Sequence, residues 1–432
     1  MSFDQIAALA VLVAIVVTLI HGKLRSDVAA LSGAAALLLL GVIRPVEVQG
    51  AFASPAVIAL ASLFVIAYAI ELSGLLGLLI RQASKLCVRL GALGLWVVIV
   101  LCGGASAFLN NTPIVVLAAP VVKDVALGMN LSPKRFLIPL SYVTIMGGAC
   151  TLIGTSTNLL VNDMARNAGQ PIFTLFEITP VALVIAVFGG LYLYLLGGRL
   201  LRSDDPGPAR VQAHGQTGDG LLGDAALFAA ADRPFDPKRA FLALGVFVAV
   251  IVAAGLGVAP IAASAFAGAV VLILLRVVSP DEAYAGLRPE VLLLIAGMVV
   301  VGLAIEVTGL ASQGADLLIG AIRPLGPLGA LIILYGVTLF ATELLSNVAV
   351  AVLITPVAVA LATSLGVDPR PFLVGVMMAA SAAFATPFGY QTNVLVFQIG
   401  GYSYMDFVRV GVPLNLITWV AAMIAIPVFF PF

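Results

Sequence analysis

Charge is scarce. Only 10% of the 432 residues are charged, and 21 Lys and Arg balance 21 Asp and Glu. Soluble domains carry about a quarter of their residues as Asp, Glu, Lys and Arg, so a water-facing fold is excluded. The zero net charge gives no general basic surface for nucleic acid. Histidine is almost missing, with His21 and His214 alone, which leaves no histidine-built metal centre. The three cysteines, Cys87, Cys102 and Cys150, lie in or beside apolar segments and make no disulfide framework. Neither G-x-S-x-G nor H-E-x-x-H occurs, so an enzyme is not expected.

What is present is apolar sequence. Hydrophobic residues make up 62% of the chain. Val48 to Ile70, Ile178 to Gly198, Ala240 to Leu275, Pro371 to Met405 and Val410 to Phe432 carry no charge. About 20 such residues span a bilayer core as a helix, whereas a β-barrel shows short alternating segments. The expected fold is an all-α polytopic membrane protein in the cell (inner) membrane. Asp4 and the lack of a basic n-region make the N-terminus a first membrane helix rather than a cleaved signal. Trp96 and Trp419 suit interfacial anchoring or packing.

The chain is written twice. AIELSGL (Ala69 to Leu75) recurs as AIEVTGL (Ala304 to Leu310), and LNNTPIVVLAAP (Leu109 to Pro120) as LSNVAVAVLITP (Leu345 to Pro356). LSPKRF (Leu131 to Phe136) recurs as VDPRPF (Val367 to Phe372), and GTSTNLLV (Gly154 to Val161) as GYQTNVLV (Gly389 to Val396). The offset stays at 235 or 236 throughout. This divides the chain into a first repeat (1–202), a Gly-, Pro- and Asp-rich linker (203–237) and a second repeat (238–432). Each repeat holds about five transmembrane helices and one hairpin, at about 92–127 and 327–365, followed by a broken helix at about 137–165 and 372–405.

Basic residues decide whether the hairpins cross, because they collect in short cytoplasmic loops. If both hairpins enter and return on one side, the 21 Lys and Arg divide 17 to 4 between the faces; if both cross, 8 to 13. Re-entrant hairpins follow. Five crossings per repeat then invert the second copy, with both termini extracytoplasmic and the linker cytoplasmic. Inverted repeats around discontinuous helices are a transporter architecture.

The segment from Leu90 to Val122 has 33 uncharged residues, yet FLNNTPI (Phe108 to Ile114) sits inside it. Backbone that leaves helical geometry at membrane depth must be buried in protein or line a cavity. Four such breaks occur: Asn110-Asn111-Thr112, Ser346-Asn347-Val348, Gly154 to Asn158, and Ala385 to Asn393. None contains Lys or Arg. Amide, hydroxyl and freed carbonyl oxygens suit a hard cation such as Na+, and helix N-termini suit an oxyanion. A divalent anion without a fixed positive partner faces a severe desolvation cost, which bound cations would offset.

The motifs SAFLNNTP, GGACTLIGTSTNLLVN, ELLSNVAV and TPFGYQTN resemble the divalent anion/sodium symporter (DASS) family of the ion transporter superfamily, over nearly the whole chain. They are most similar to its sulfate-type permease branch, here without room for the TrkA-C-type regulatory domains of many members. The resemblance implies Na+ as coupling ion, a homodimer, and an elevator-type mechanism. It implies a first Na+ site at Ser106, Asn110, Asn111 and Gly154, with Asn110 in the place of the family's Ser. It implies a second at Thr342, Ser346, Asn347, Ala385 and Gly389. Substrate contacts carry over to Asn111, Thr112 and Asn347, while Val348 departs from the family's Thr. Thr157, Asn158, Thr392 and Asn393 repeat as well, and either line the same cavity or cap half-helices.

The expected function is Na+-coupled symport of a small divalent oxyanion, sulfate-like first and four-carbon dicarboxylate second. An exchanger or proton-coupled efflux permease of the same superfamily, for Na+/H+ or arsenite, is the alternative. A channel-like or non-transporting membrane scaffold is the alternative of another class. Glu71 and Glu306 suit helix ends, and Glu343 and Asp163 are candidates for proton involvement because they are ionisable groups in apolar segments. Isolated Asn and Thr in membrane helices commonly join helices together, but the repeated pair Asn111 and Asn347, with Ser106 and Thr342 in register, points to a site.

Overall fold

The protein, seen in a computed structural model, is described at residues 2–21, 24–201, 234–310 and 325–432. Most of the expected linker, from 203 to 233, lies outside the described residues. Among those described there are helices and no strand. In hydrocarbon every backbone N–H and C=O needs a partner within its own segment, and a helix supplies it.

The first half holds α1 (Phe3–His21), α2 (Ser26–Leu39), α3 (Pro45–Phe52), α4 (Pro55–Leu72), α5 (Leu75–Leu90), α6 (Ala92–Ser106), α7 (Asn111–Gly128), α8 (Lys134–Gly148), α9 (Ser156–Asn167) and α10 (Thr179–Tyr192). The second holds α11 (Pro237–Gly255), α12 (Ile261–Leu274), α13 (Pro280–Gly286), α14 (Pro289–Val307), α15 (Gly326–Thr342), α16 (Asn347–Leu365), α17 (Arg370–Ala380), α18 (Gln391–Gly400) and α19 (Tyr404–Phe429).

Several starts are legible as Pro after a small polar cap. Ser54 Oγ accepts from Val57 N before Pro55. Asp236 accepts from Lys238 N and Arg239 N. Ser279 and Glu282 form a capping box around Pro280.

Among the described residues, seven helical stretches are long and apolar enough to cross a membrane: Pro45–Leu72, Asn111–Gly128, Thr179–Leu200, Pro237–Gly255, Pro289–Val307, Asn347–Leu365 and Tyr404–Phe429. Two of them, α7 and α16, are second arms of the hairpins. By length alone they suit crossing as well as returning, so their re-entry rests on the placement of basic residues.

The helices pack in two groups. One joins α2 to α14, α4 to α11 and α12, and α1 to α2. The other joins α6 to α7 and α8, α15 to α16 and α17, and α10 to α19. The halves interlock in this second group, because α7 packs on α18 and α16 packs on α9. Small residues allow the close crossings: a Cβ on Gly147 of α8 would stand 2.0 Å from the Gly103 carbonyl of α6. Between the groups, α14 touches α9 and α16, and α4 touches α9.

Candidate functional site

Both hairpins turn in the same way. In the first, α6 ends at Ser106, residues 107–110 turn, and Asn110 Oδ1 accepts from Thr112 N (3.2 Å) to start α7. In the second, α15 ends at Thr342, residues 343–346 turn, and Ser346 Oγ accepts from Ala349 N (3.3 Å) to start α16. A hydroxyl five residues earlier binds the tip amide in each: Ser106 Oγ donates to Asn111 Oδ1 (2.5 Å), and Thr342 Oγ1 lies 2.7 Å from Asn347 Oδ1. The local sequence therefore fixes each amide oxygen against its own hairpin.

Opposite the tips, α8 and α9 are parted by residues 149–155, and α17 and α18 by residues 381–390. Carbonyls freed by an unwound turn need donors. Asn158 Nδ2 reaches Thr151 O (3.0 Å) and Ala149 O (3.4 Å), and Asn393 Nδ2 reaches Ala383 O (2.8 Å) and Thr386 O (3.3 Å). Thr151 Oγ1 donates to Ala107 O and accepts from Gly154 N (3.1 Å), which ties the first break to the first tip.

Around the first break oxygens converge. A Cβ on Gly154 would meet the carbonyl oxygens of Gly148 at 2.3 Å, Ala107 at 2.8 Å and Ser106 at 2.9 Å. A Cβ on Gly148 would meet Asn111 Oδ1 at 2.6 Å. Only glycine fits at either position. Asn111 is oriented from the other half, because its Nδ2 donates to Tyr390 OH (2.8 Å), which leaves Oδ1 turned toward the oxygen cluster. Thr112 Oγ1 donates in turn to Gln391 Oε1 (3.1 Å). Such an all-oxygen, uncharged cluster fits a hard monovalent cation.

The second break differs. Glu343, in the turn after Thr342, accepts from five donors. Oε1 takes Phe384 N (2.9 Å), Ala385 N (2.7 Å) and Asn415 Nδ2 (2.8 Å), while Oε2 takes Thr386 N and Thr386 Oγ1 (2.9 Å each). The stretch from Phe384 to Thr386 thus turns its N–H groups toward a carboxylate. The matching position in the first half is Ala107. Glu343 is an anchor for the break.

One cavity of about 440 Å³ joins these elements. Asn110, Thr112, Gly154, Thr157, Ser346, Asn347, Val348 and Gly389 line it, together with Glu343, Tyr390 and Gln391. Ser106, Asn111, Asn158, Thr342, Ala385, Thr392 and Asn393 do not form its wall. Ser106, Asn111 and Thr342 stand directly behind the tips, whereas Asn158 and Asn393 brace the breaks. Thr392 is fully buried, its Oγ1 2.8 Å from Ser141 Oγ. Asn158, Thr392 and Asn393 thus stand in a bracing layer behind the wall.

Asp163, near the end of α9, pairs with Arg166 (2.9 Å). Among the described residues no cluster of three His, Cys, Asp or Glu could hold a metal ion.

Tyr390, Gln391 and Arg288, which also lines the cavity, were not picked out by the repeat. Tyr390 and Gln391 stand where the first half has Thr155 and Ser156, so a search for repeated polar residues passes over them. Polar positions at which the halves differ inside matched breaks would have found them.

Helical hairpins facing interrupted helices across one central cavity define a polytopic membrane transporter. The particular family is shown by its profile: the chain belongs to the citrate transporter family (CitMHS), matching over residues 13–370 and 344–431. This agrees with the ion transporter superfamily resemblance carried by the hairpin motifs. An uncharacterized transporter of Synechocystis, sll0640, is 26% identical over 96% of this chain and 95% of its own length. That alignment of 581 positions exceeds the 432 residues here, so the relative carries segments without a counterpart. Sodium/sulfate cotransporter 1 of Chlamydomonas reinhardtii is 34% identical over 34% of this chain and 17% of its own. Among solved structures, the YdaH transporter of Alcanivorax borkumensis, described as having an unusual topology, shares the fold. It has a TM-score of 0.60 and 15% identity, over 88% of this chain and 86% of that one.

Proposed function

We propose that the protein is a secondary transporter coupling Na+ to symport of a small divalent oxyanion, sulfate-like first and four-carbon dicarboxylate second. One observation carries the reading: the oxygen cluster at Gly148 and Gly154, closed by Asn111 Oδ1. It offers a cation neutral ligands beside a cavity wall built of amide and hydroxyl groups. The sodium/sulfate name of the algal relative and the citrate family description support cation coupling and an anionic cargo.

In this reading Ser106, Asn110, Asn111 and Gly154 hold one Na+. Thr342, Ser346 and Asn347 hold a second with Ala385 and Gly389, and Glu343 stabilises that break. The anion lies between Thr112, Thr157, Asn347 and Gln391. Cations order the tips and supply positive charge, so their binding raises the population of the anion-competent state. The second copy is inverted in the membrane. The hairpins and broken helices move as a unit against the group around α2, α4, α12 and α14, as in an elevator, within a homodimer. A proton-coupled exchanger would need a disengaged carboxylate at the breaks, and Glu343 is fully engaged with donors.

The test is thermal unfolding of the purified protein with increasing Na+ or K+ and a panel of sulfate, succinate and citrate. Na+ should raise the unfolding temperature and steepen the response to one anion class. Asn111→Ala and Asn347→Ala should flatten the Na+ response. If Na+ protects both variants as well as the parent, the cation assignments are wrong.

A further inference from the structure

Among the described residues, the cavity wall is uncharged except for Glu343 and Arg288. Glu343 is saturated by its five donors at the second break. Arg288 is the one cationic side chain among the described residues that line the cavity. It is half-buried and stands directly before α14, whose residues Val291 and Leu294 continue the same wall one and two turns further in. Arg288 stands beside the exposed Pro289 and Glu290 at the start of α14, and the apolar body of α14 continues the wall from there. Ser26, at the start of α2, lines this end too, next to the Arg25–Asp27 ion pair (2.9 Å). The neighbouring Glu290 is exposed and is not part of the wall.

We infer that Arg288 is a specificity-determining contact on the cavity wall, which draws doubly charged oxyanions toward the neutral tips. The inference rests on the anion-transport reading above. Its physical basis is the mismatch between cargo and wall. The tips offer only neutral donors, so a dianion leaving water needs compensating charge before the cations around it are fully assembled. A guanidinium suits sulfate and carboxylate alike, because its planar fork donates to two oxygens at once. The N-terminus of the 19-residue α14 adds its partial positive charge at the same place. Arg288 precedes α14, which packs chiefly on α2 and also touches α16 of the second hairpin; in the elevator reading it stays with the group around α2 and α4 while the tips move.

The experiment compares Arg288→Lys, Arg288→Gln and Arg288→Glu in proteoliposomes, measuring anion KM at low and high ionic strength and the Na+ concentration for half-maximal uptake. Arg276→Gln, at an exposed position outside the cavity, is the control. R288Q should raise the anion KM about tenfold at low salt, the effect of removing one charge about 6 Å from a dianion in a water-like medium. R288E should raise it further, R288K should stay near the parent, and the rise should shrink at high salt. Half-saturation by Na+, measured at saturating anion for each variant, should not change.

If R288Q and R288E keep the parental KM while the parent transports, Arg288 has no such role and the inference is overturned. If the parent shows no saturable Na+-dependent anion uptake, the transport reading falls and this inference with it. Should R288Q lose its fold, Arg288→Cys labelled after purification with a cationic or an anionic methanethiosulfonate makes the same comparison. Equal KM for the two adducts overturns the inference.

Discussion

Replacing Glu343 by Gln keeps the side chain's size and removes one acceptor oxygen. The two carboxylate oxygens serve separate sets of donors: Phe384 N, Ala385 N and Asn415 Nδ2 on one side, Thr386 N and Thr386 Oγ1 on the other. A glutamine carbonyl can serve one set, and its NH2 must face the other. The Thr386 hydroxyl can turn to accept, but the Thr386 backbone N–H cannot. An orphaned buried N–H costs about 1–3 kcal/mol, and the bonds that remain lose their ionic share, about 1 kcal/mol each at most. The expected loss is about 3–5 kcal/mol, large beside a total stability of about 5–15 kcal/mol. Thermal unfolding followed by tryptophan fluorescence reads the global effect, and amide hydrogen exchange over residues 381–390 reads the local one. The reasoning is refuted if Glu343→Gln unfolds within about 1 kcal/mol of the parent with unchanged protection at residues 384–386.

Other outcomes follow from the same geometry. Gly154→Ala places a methyl 2.3 Å from the Gly148 carbonyl, so Na+ stabilisation should be abolished at a stability cost of about 1–3 kcal/mol, measured by Na+-dependent thermal shift. Tyr390→Phe removes the acceptor for Asn111 Nδ2; it should weaken Na+ affinity about tenfold or more, as losing an orienting partner does at metal sites, by sodium titration of intrinsic fluorescence. Ser141→Ala strips a buried partner from Thr392 Oγ1 (2.8 Å) and Asn393 Oδ1 (2.7 Å), and should destabilise the fold by about 1–3 kcal/mol without changing which anion protects it. At the start of α13, the Ser279 backbone N–H holds the Glu282 carboxyl below its ordinary value. A depressed folded value means that this contribution is complete above the ordinary carboxylate range and is lost as pH falls through the lower one. An acid-limb loss that Glu282→Gln removes, followed by thermal unfolding between pH 6 and pH 3, is the expected signature.

The paired tips were legible in the sequence because duplication preserved both type and spacing: Ser106 with Asn111, and Thr342 with Asn347, make the same bond at the same interval. The polar residues within the breaks were legible as positions but not as roles. Asn158 and Asn393 were expected either on the wall or at helix caps. They lie behind the wall, since an unwound turn in hydrocarbon needs donors for its own carbonyls before a ligand is considered. Where the halves diverge, the repeat is silent. Glu343 against Ala107, and Tyr390 against Thr155, acquire meaning only once the chain crosses over itself. Arg288 carries no motif at all, and its place on the cavity follows from how α14 meets α4 and the second hairpin.

The interlock of the halves has a consequence for how such a chain can change. Asn111 takes its orientation from Tyr390, Thr112 is tied to Gln391, and Ser141 supports Thr392, so the cavity wall and the layer behind it are built from both copies at once. Fragments made separately would each lack hydrogen-bond partners that the other supplies. Compensating substitutions during divergence should then pair across the duplication, at separations of roughly 250 to 280 residues, instead of within either copy.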